Sequence, residues 1–146
     1  GAISLERDRN LLSGAAPHYR CYTCADGRDI AIGPLEPQFL TELMQHIDAP
    51  ESLREGCNDP AQWPELSEQL AALFASRSRA DWCAVLEETD ACVAPVLTLE
   101  EAAQHSHMQQ RGVYRNIDGA LHAAPAPRFS RTPGSIRVSE DAGGWD

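Results

Sequence analysis

The sequence predicts an α+β domain: two small β-hairpins packed with three to four helices. Three observations carry that reading. Two Asp-Gly pairs, Asp26-Gly27 and Asp118-Gly119, each sit between short runs of strand-favouring residues, and Gly tolerates the positive φ of a tight hairpin turn. Between the two pairs, apolar residues recur at helical spacing. Within that stretch Ser78 with Asp81, and Thr98 with Glu101, have the spacing of a helix-opening capping box.

Taken in order, residues 1–14 are polar without a full period and read as a linker remnant. His18 to Cys24 is rich in aromatic and β-favouring residues and predicts a strand. Asp29 to Gly33 alternates polar and apolar and predicts its return. Pro37 suits the first position of a helix, where its missing N–H costs nothing. Phe39, Leu40, Leu43, Met44 and Ile47 then make one apolar face, and Ala49-Pro50 ends the segment. Asp59-Pro60 opens a short helical turn. Pro64 restarts a helix whose inner stripe is Leu66, Leu70, Leu73 and Phe74. A third helix, capped by Ser78, buries Trp82, Val85 and Leu86.

Ala91 to Leu97 is apolar but short and contains Pro95, which favours an extended crossing over a helix. Thr98 opens a fourth helix that runs to about Gln104. Val113 to Ile117 and Ala120 to His122 form the second hairpin. The Pro-Ala-Pro of residues 125–127 is extended by proline geometry, and residues 131–146 read as a flexible tail. The domain proper therefore spans residues 15–130.

The chain has 146 residues and a formal net charge of −10. That balance argues against nucleic acid, whose phosphates need a basic patch, and against an anionic membrane surface. No apolar run approaches the roughly 20 residues that span a bilayer. Twelve Arg and no Lys point to a GC-rich bacterial genome and remove every amine that could form a Schiff base. Gly1 and the polar opening that follows suggest a piece cut from something longer. The five cysteines are odd in number and irregular in spacing, which fits free thiols in a reducing cytoplasm better than a disulfide framework. Cys21 and Cys24 form a C-x-x-C, but it lies in a strand-like run and lacks a second ligand pair for zinc, so two ordinary thiols are expected.

Glu36 is the candidate site residue. It falls between a strand end and the helix that starts at Pro37, at the N-cap, where short polar side chains are preferred. Glu is a poor cap, while a helix N-terminus favours a negative charge. Local sequence alone still favours a solvated surface glutamate. The histidines, His18, His46, His105, His107 and His122, show no zinc-like spacing and are expected at the surface. Asp90-Ala91-Cys92 places an acid near a thiol, but without a nearby histidine a buried, inert Cys is expected. No phosphate-binding loop or nucleophile elbow is present, and no cofactor or metal is expected.

Several stretches go further by resemblance. Residues 14–22 (Gly-Ala-Ala-Pro-His-Tyr-Arg-Cys-Tyr), Ala25-Asp26-Gly27, Glu36-Pro37-Gln38-Phe39, Trp82-Cys83, the run from Thr89 to Leu97, and Pro125-Ala126-Pro127-Arg128-Phe129-Ser130 resemble, in order and spacing, the small domain of α-methylacyl-CoA racemases, within the class III CoA-transferase superfamily. The resemblance covers residues 10 to 133. It implies a two-domain enzyme whose large domain, absent from this chain, binds CoA and carries the His and Asp that move the proton. CoA is then part of the substrate, an acyl-CoA thioester, and not a cofactor. The family's small-domain glutamate matches Glu36, beside the catalytic histidine, and the family forms interlocked homodimers. The chain departs from the family's usual residues at Ser13 and His18, which bears on acyl-chain preference. A CoA-transferase of the same superfamily is the alternative within the resemblance. A non-catalytic binding module is the alternative of another class.

Overall fold

A three-stranded antiparallel sheet stands where the first hairpin is predicted. β1 (Arg20–Thr23) pairs with β2 (Asp29–Ile32), Tyr22 opposite Ile30. β3 (Val93–Pro95) then pairs with the other edge of β2, giving the order β1-β2-β3. The apolar run expected as a crossing is thus the third strand. Pro95 is tolerated there because β3 is an edge. The computed structural model describes residues 5–6 and 10–136. These fall into one unit through Val96 and another from Leu97 onward.

β1 starts later than the composition suggests. Pro17 cannot donate to a ladder, and the Tyr19 N–H turns back to the Ala16 carbonyl at 3.1 Å. His18 lies before the strand and is only 7% exposed, which corrects its expected surface position. Its Nδ1 has no hydrogen-bond partner among the described residues, and burial lowers its pKa from the usual value.

The helices of the first unit cover the Tyr22, Ile30 and Ile32 face of the sheet. α1 (Pro37–His46) buries Leu40, Leu43 and Met44, with Ile47 closing its end. Asp48 follows at φ 53°. α2 (Glu51–Gly56) has Pro50 as its N-cap residue. It escapes prediction because only Leu53 in six residues gives an apolar signal. The short turn expected at Asp59-Pro60 is present over residues 60–62, the Gln62 N–H donating to the Asp59 carbonyl at 3.0 Å and the Ala61 N–H to Asp59 Oδ1 at 3.0 Å. α3 (Trp63–Phe74) buries Leu66, Leu70 and Phe74 as its period predicts. α4 (Arg79–Leu86) is capped as expected, Ser78 Oγ accepting from the Asp81 N–H at 3.2 Å. Its inner face is Arg79, Trp82 and Leu86, at i, i+3 and i+7. Val85 falls on the flank and is 36% exposed, contrary to expectation.

Aromatic contacts join these layers. The Phe74 ring stacks on Tyr22 at 5.2 Å and meets the Trp82 ring edge-on at 5.2 Å. Each polar tip is satisfied, as buried Tyr and Trp require: Trp82 Nε1 donates to the Phe74 carbonyl at 2.9 Å, and Tyr22 Oη to the Pro17 carbonyl at 2.6 Å.

In the second unit, α5 (Leu99–Gln104) opens with a complete capping box. Thr98 Oγ1 accepts from the Glu101 N–H at 3.2 Å, and Glu101 Oε2 accepts from the Thr98 N–H at 3.0 Å. α6 (Ser106–Gln110) is a short addition without an apolar stripe. β4 (Tyr114–Ile117) and β5 (Ala120–Ala123) form the predicted hairpin. Its turn has positive φ at both Asp118 and Gly119, as a two-residue hairpin loop of this kind requires. Pro125 to Pro127 is not simply extended: the chain bends there, with a cis Ala126–Pro127 bond. Residues 137–146 of the expected tail lie outside the described residues. The α+β class holds, with six helices among the described residues rather than three or four, and with one hairpin extended to three strands.

Two outcomes follow. Phe74→Ala, at a fully buried ring, should cost about 3–5 kcal/mol in urea unfolding. A loss under about 1 kcal/mol would mean the ring cluster does not hold the layers. His18 is neutral in both folded and unfolded chains at high pH. Because its folded pKa is lowered, the unfolded chain binds the proton first. Its contribution is therefore intact above about pH 6.5 and is lost as pH falls toward the folded pKa. Unfolding free energy measured from pH 8 to 5 should fall more steeply in wild type than in His18→Phe. Parallel slopes would contradict it.

Candidate functional site around Glu36

Glu36 caps α1 in extended conformation (φ −79°, ψ 139°), and its carboxylate makes no cap hydrogen bond. Its backbone does take part, the Glu36 carbonyl accepting from the Leu40 N–H at 3.0 Å. The chain is pinned on both sides: Pro34 is fully buried, and Pro37 fixes the first helical residue. The side chain itself is exposed, as is Leu35 beside it at 41%. The result is an exposed carboxylate on a fixed stem.

The structure brings Asp90-Ala91-Cys92 to the same place. The Gly33 N–H donates to the Cys92 carbonyl at 3.0 Å, tying the start of β3 to the end of β2 just ahead of Glu36. Cys92 adopts φ 53°, a left-handed conformation uncommon for a residue with a side chain. Its thiol is exposed, not buried as the sequence suggested. Partial desolvation, then the charges of Glu36, Asp90 and Glu42, push its pKa up, and the thiolate is the nucleophilic form. Sγ lies 3.6 Å from the Asp90 carbonyl.

Glu42 extends the group, its Oε1 accepting from the Asp90 N–H at 3.1 Å. One helical turn on, His46 Nε2 approaches the same oxygen at 3.8 Å. The Glu42–Asp90 contact spans 48 residues, so no local pattern could have revealed it. The site is thus a negative patch of Glu36, Glu42 and Asp90 around a protonated thiol. It can attract or orient a cationic group brought to it. Its neighbouring histidine, His46, approaches Glu42 rather than an aspartate. His105, His107 and His122 belong to the second unit, and no group of three His, Cys, Asp or Glu among the described residues could hold a metal.

The C-x-x-C residues do not act as a pair. Cys21 is exposed and Cys24 buried on opposite faces of the strand end, and all five cysteines are free. Burial, followed by the Asp26 charge, raises the Cys24 thiol. No helix among the described residues is long and apolar enough to cross a membrane.

The sequence profile of CoA-transferase family III matches residues 4–146. The chain is 40% identical over 136 residues to the alpha-methylacyl-CoA racemase of Mus musculus, covering 92% of this chain and 36% of that protein. It is 37% identical over 128 residues to the alpha-methylacyl-CoA racemase of Homo sapiens, covering 87% of this chain and 34% of that one. The chain thus spans about a third of the length of these relatives. In fold it matches a crystal structure of Rv3272 from Mycobacterium tuberculosis with a TM-score of 0.65, at 14% identity, over 81% of this chain and 35% of that one. This chain belongs to CoA-transferase family III.

Proposed function

We propose that this chain is the small domain of an α-methylacyl-CoA racemase, an enzyme that inverts the α-carbon of 2-methylacyl-CoA thioesters. The observation that carries this reading is the 40% identity to a racemase across 92% of the chain.

Inversion requires removing the α-proton on one face and returning a proton on the other, with the enolate oxygen stabilised in between. That work needs two acid/base groups. In this reading the two groups belong to the remainder of a longer enzyme, together with the CoA site, and the carboxylates and His46 around Glu36 are not that pair. Glu36 is a positioning residue in this scheme. Its carboxylate, on a stem fixed by Pro34 and Pro37, receives the N–H of a catalytic imidazole and sets its tautomer. When that imidazole takes the proton, Glu36 stabilises the imidazolium, as a carboxylate does in a triad. Glu42 and Asp90 add negative potential to the same spot. Cys92, held as a neutral thiol, does not compete for the imidazolium. The acyl-CoA is substrate, an interlocked homodimer is the expected assembly, and the setting is cytoplasmic.

Two measurements test this. The 146-residue chain alone should not exchange the α-proton of 2-methylacyl-CoA into deuterated water, and exchange above the buffer rate would overturn the division of labour. In the longer enzyme, Glu36→Gln should lower kcat and kcat/KM together by about 10- to 10⁴-fold, with CoA affinity unchanged. An unchanged kcat would return Glu36 to a plain surface role.

A further inference from the structure

β1 has one edge that nothing in the described structure occupies. The Cys24 N–H donates to the Arg28 carbonyl at 2.8 Å, and the register pairs Tyr22 with Ile30 and Arg20 with Ile32. Antiparallel pairing alternates, so residues 20, 22 and 24 turn their backbone groups toward β2 and the odd-numbered residues turn theirs away. Both ends of the outward row are already used. The Tyr19 N–H bonds the Ala16 carbonyl at 3.1 Å, and the Ala25 N–H bonds the Arg77 carbonyl at 2.8 Å. Cys21 and Thr23 remain. Their two N–H and two C=O groups have no backbone partner among the described residues.

These four groups open onto a groove of about 1170 Å³ between β1 and α3. Its walls include Arg20, Cys21 and Thr23 on one side and Trp63, Ser67 and Ala71 on the other, with no residue of β2 or β3. Ser67 and Ala71 on the α3 wall leave room beside the strand. An unpaired edge with room beside it matches one ligand chemistry above others: the backbone of an extended polypeptide.

We propose that β1 receives a fourth strand, and that the strand is an extended segment of the parent polypeptide lying outside this chain. This rests on the reading of the chain as part of a longer enzyme. The relatives are nearly three times as long as the matched region, so the segment can be tethered. A tether supplies an effective concentration in the millimolar range, enough to favour a ladder of only four backbone hydrogen bonds. The paired strand presents one apolar side chain toward Ala71 and a polar or acidic one toward Arg20.

Residue-resolved amide hydrogen exchange on the full-length enzyme tests the proposal, with the inward amides of Tyr22 and Ile30 as the standard for a formed sheet. Cys21 and Thr23 should exchange at least about 100-fold more slowly than an unstructured peptide, independent of protein concentration. Thr23→Pro removes one outward donor without touching the inner ladder, and should return Cys21 to fast exchange. Fast exchange at Cys21 and Thr23 while Tyr22 and Ile30 stay slow overturns the proposal. So does protection that disappears on dilution, which assigns the edge to a second copy. An enzyme with a protected edge but no α-proton exchange would sink the functional reading alone.

Discussion

The first unit depends on one contact, the Phe74 ring held between Tyr22 and Trp82. Phe74 ends α3, Tyr22 sits in β1, and Trp82 lies on the inner face of α4. One ring therefore joins the sheet to two helices that share no other aromatic. The geometry is stacked on one side and edge-on on the other, both favoured by the ring quadrupole. The Trp82 indole also bonds the Phe74 carbonyl, so the last turn of α3 is tied by its backbone as well as its ring. Arg77, in the loop between the two helices, lies over the Trp82 ring at 4.7 Å, and its carbonyl accepts from Ala25 at the end of β1.

That anchoring determines what the other end of the sheet can do. With β2 held by its core face, Ile32 leads into Gly33 and the buried Pro34, and Pro37 starts α1 two residues after Leu35. Glu36 has little freedom in its backbone, and its side chain is exposed. The Gly33–Cys92 hydrogen bond and the Asp90–Glu42 hydrogen bond fasten a loop from much later in the chain against the same corner. The negative patch is a product of the fold, since its members come from α1 and from the approach to β3. A carboxylate on a fixed stem within a negative field can attract a cationic group brought to it.

What was legible in the sequence follows the strength of local signals. Asp118-Gly119, the Thr98–Glu101 pair and the α3 stripe each carry a rule with a local physical cause, and each is realised. α2 was not legible because one apolar residue in a turn and a half leaves no period, and Pro50 serves as both stop and start. β3 was read as extended but not as paired, because pairing is a long-range choice and Pro95 argues only against a central position. Glu36 stood out as an unsuitable cap, which was the one local hint of the site. Asp90-Ala91-Cys92 stood out only as an acid near a thiol, and Glu42 gave no hint, since it meets Asp90 across 48 residues. Burial of His18 was equally hidden, for it depends on the turn that Pro17 and Ala16 make before β1.

Phe74 and Trp82 act as a unit that fastens the helices to the sheet. The direct test is a double-mutant cycle in urea with Phe74→Leu and Trp82→Leu, singly and together. A coupling of about 0.5–1.5 kcal/mol between the two rings is the predicted result. Additive losses, with no coupling beyond about 0.3 kcal/mol, would contradict it and leave the two side chains as separate fillers of a common core.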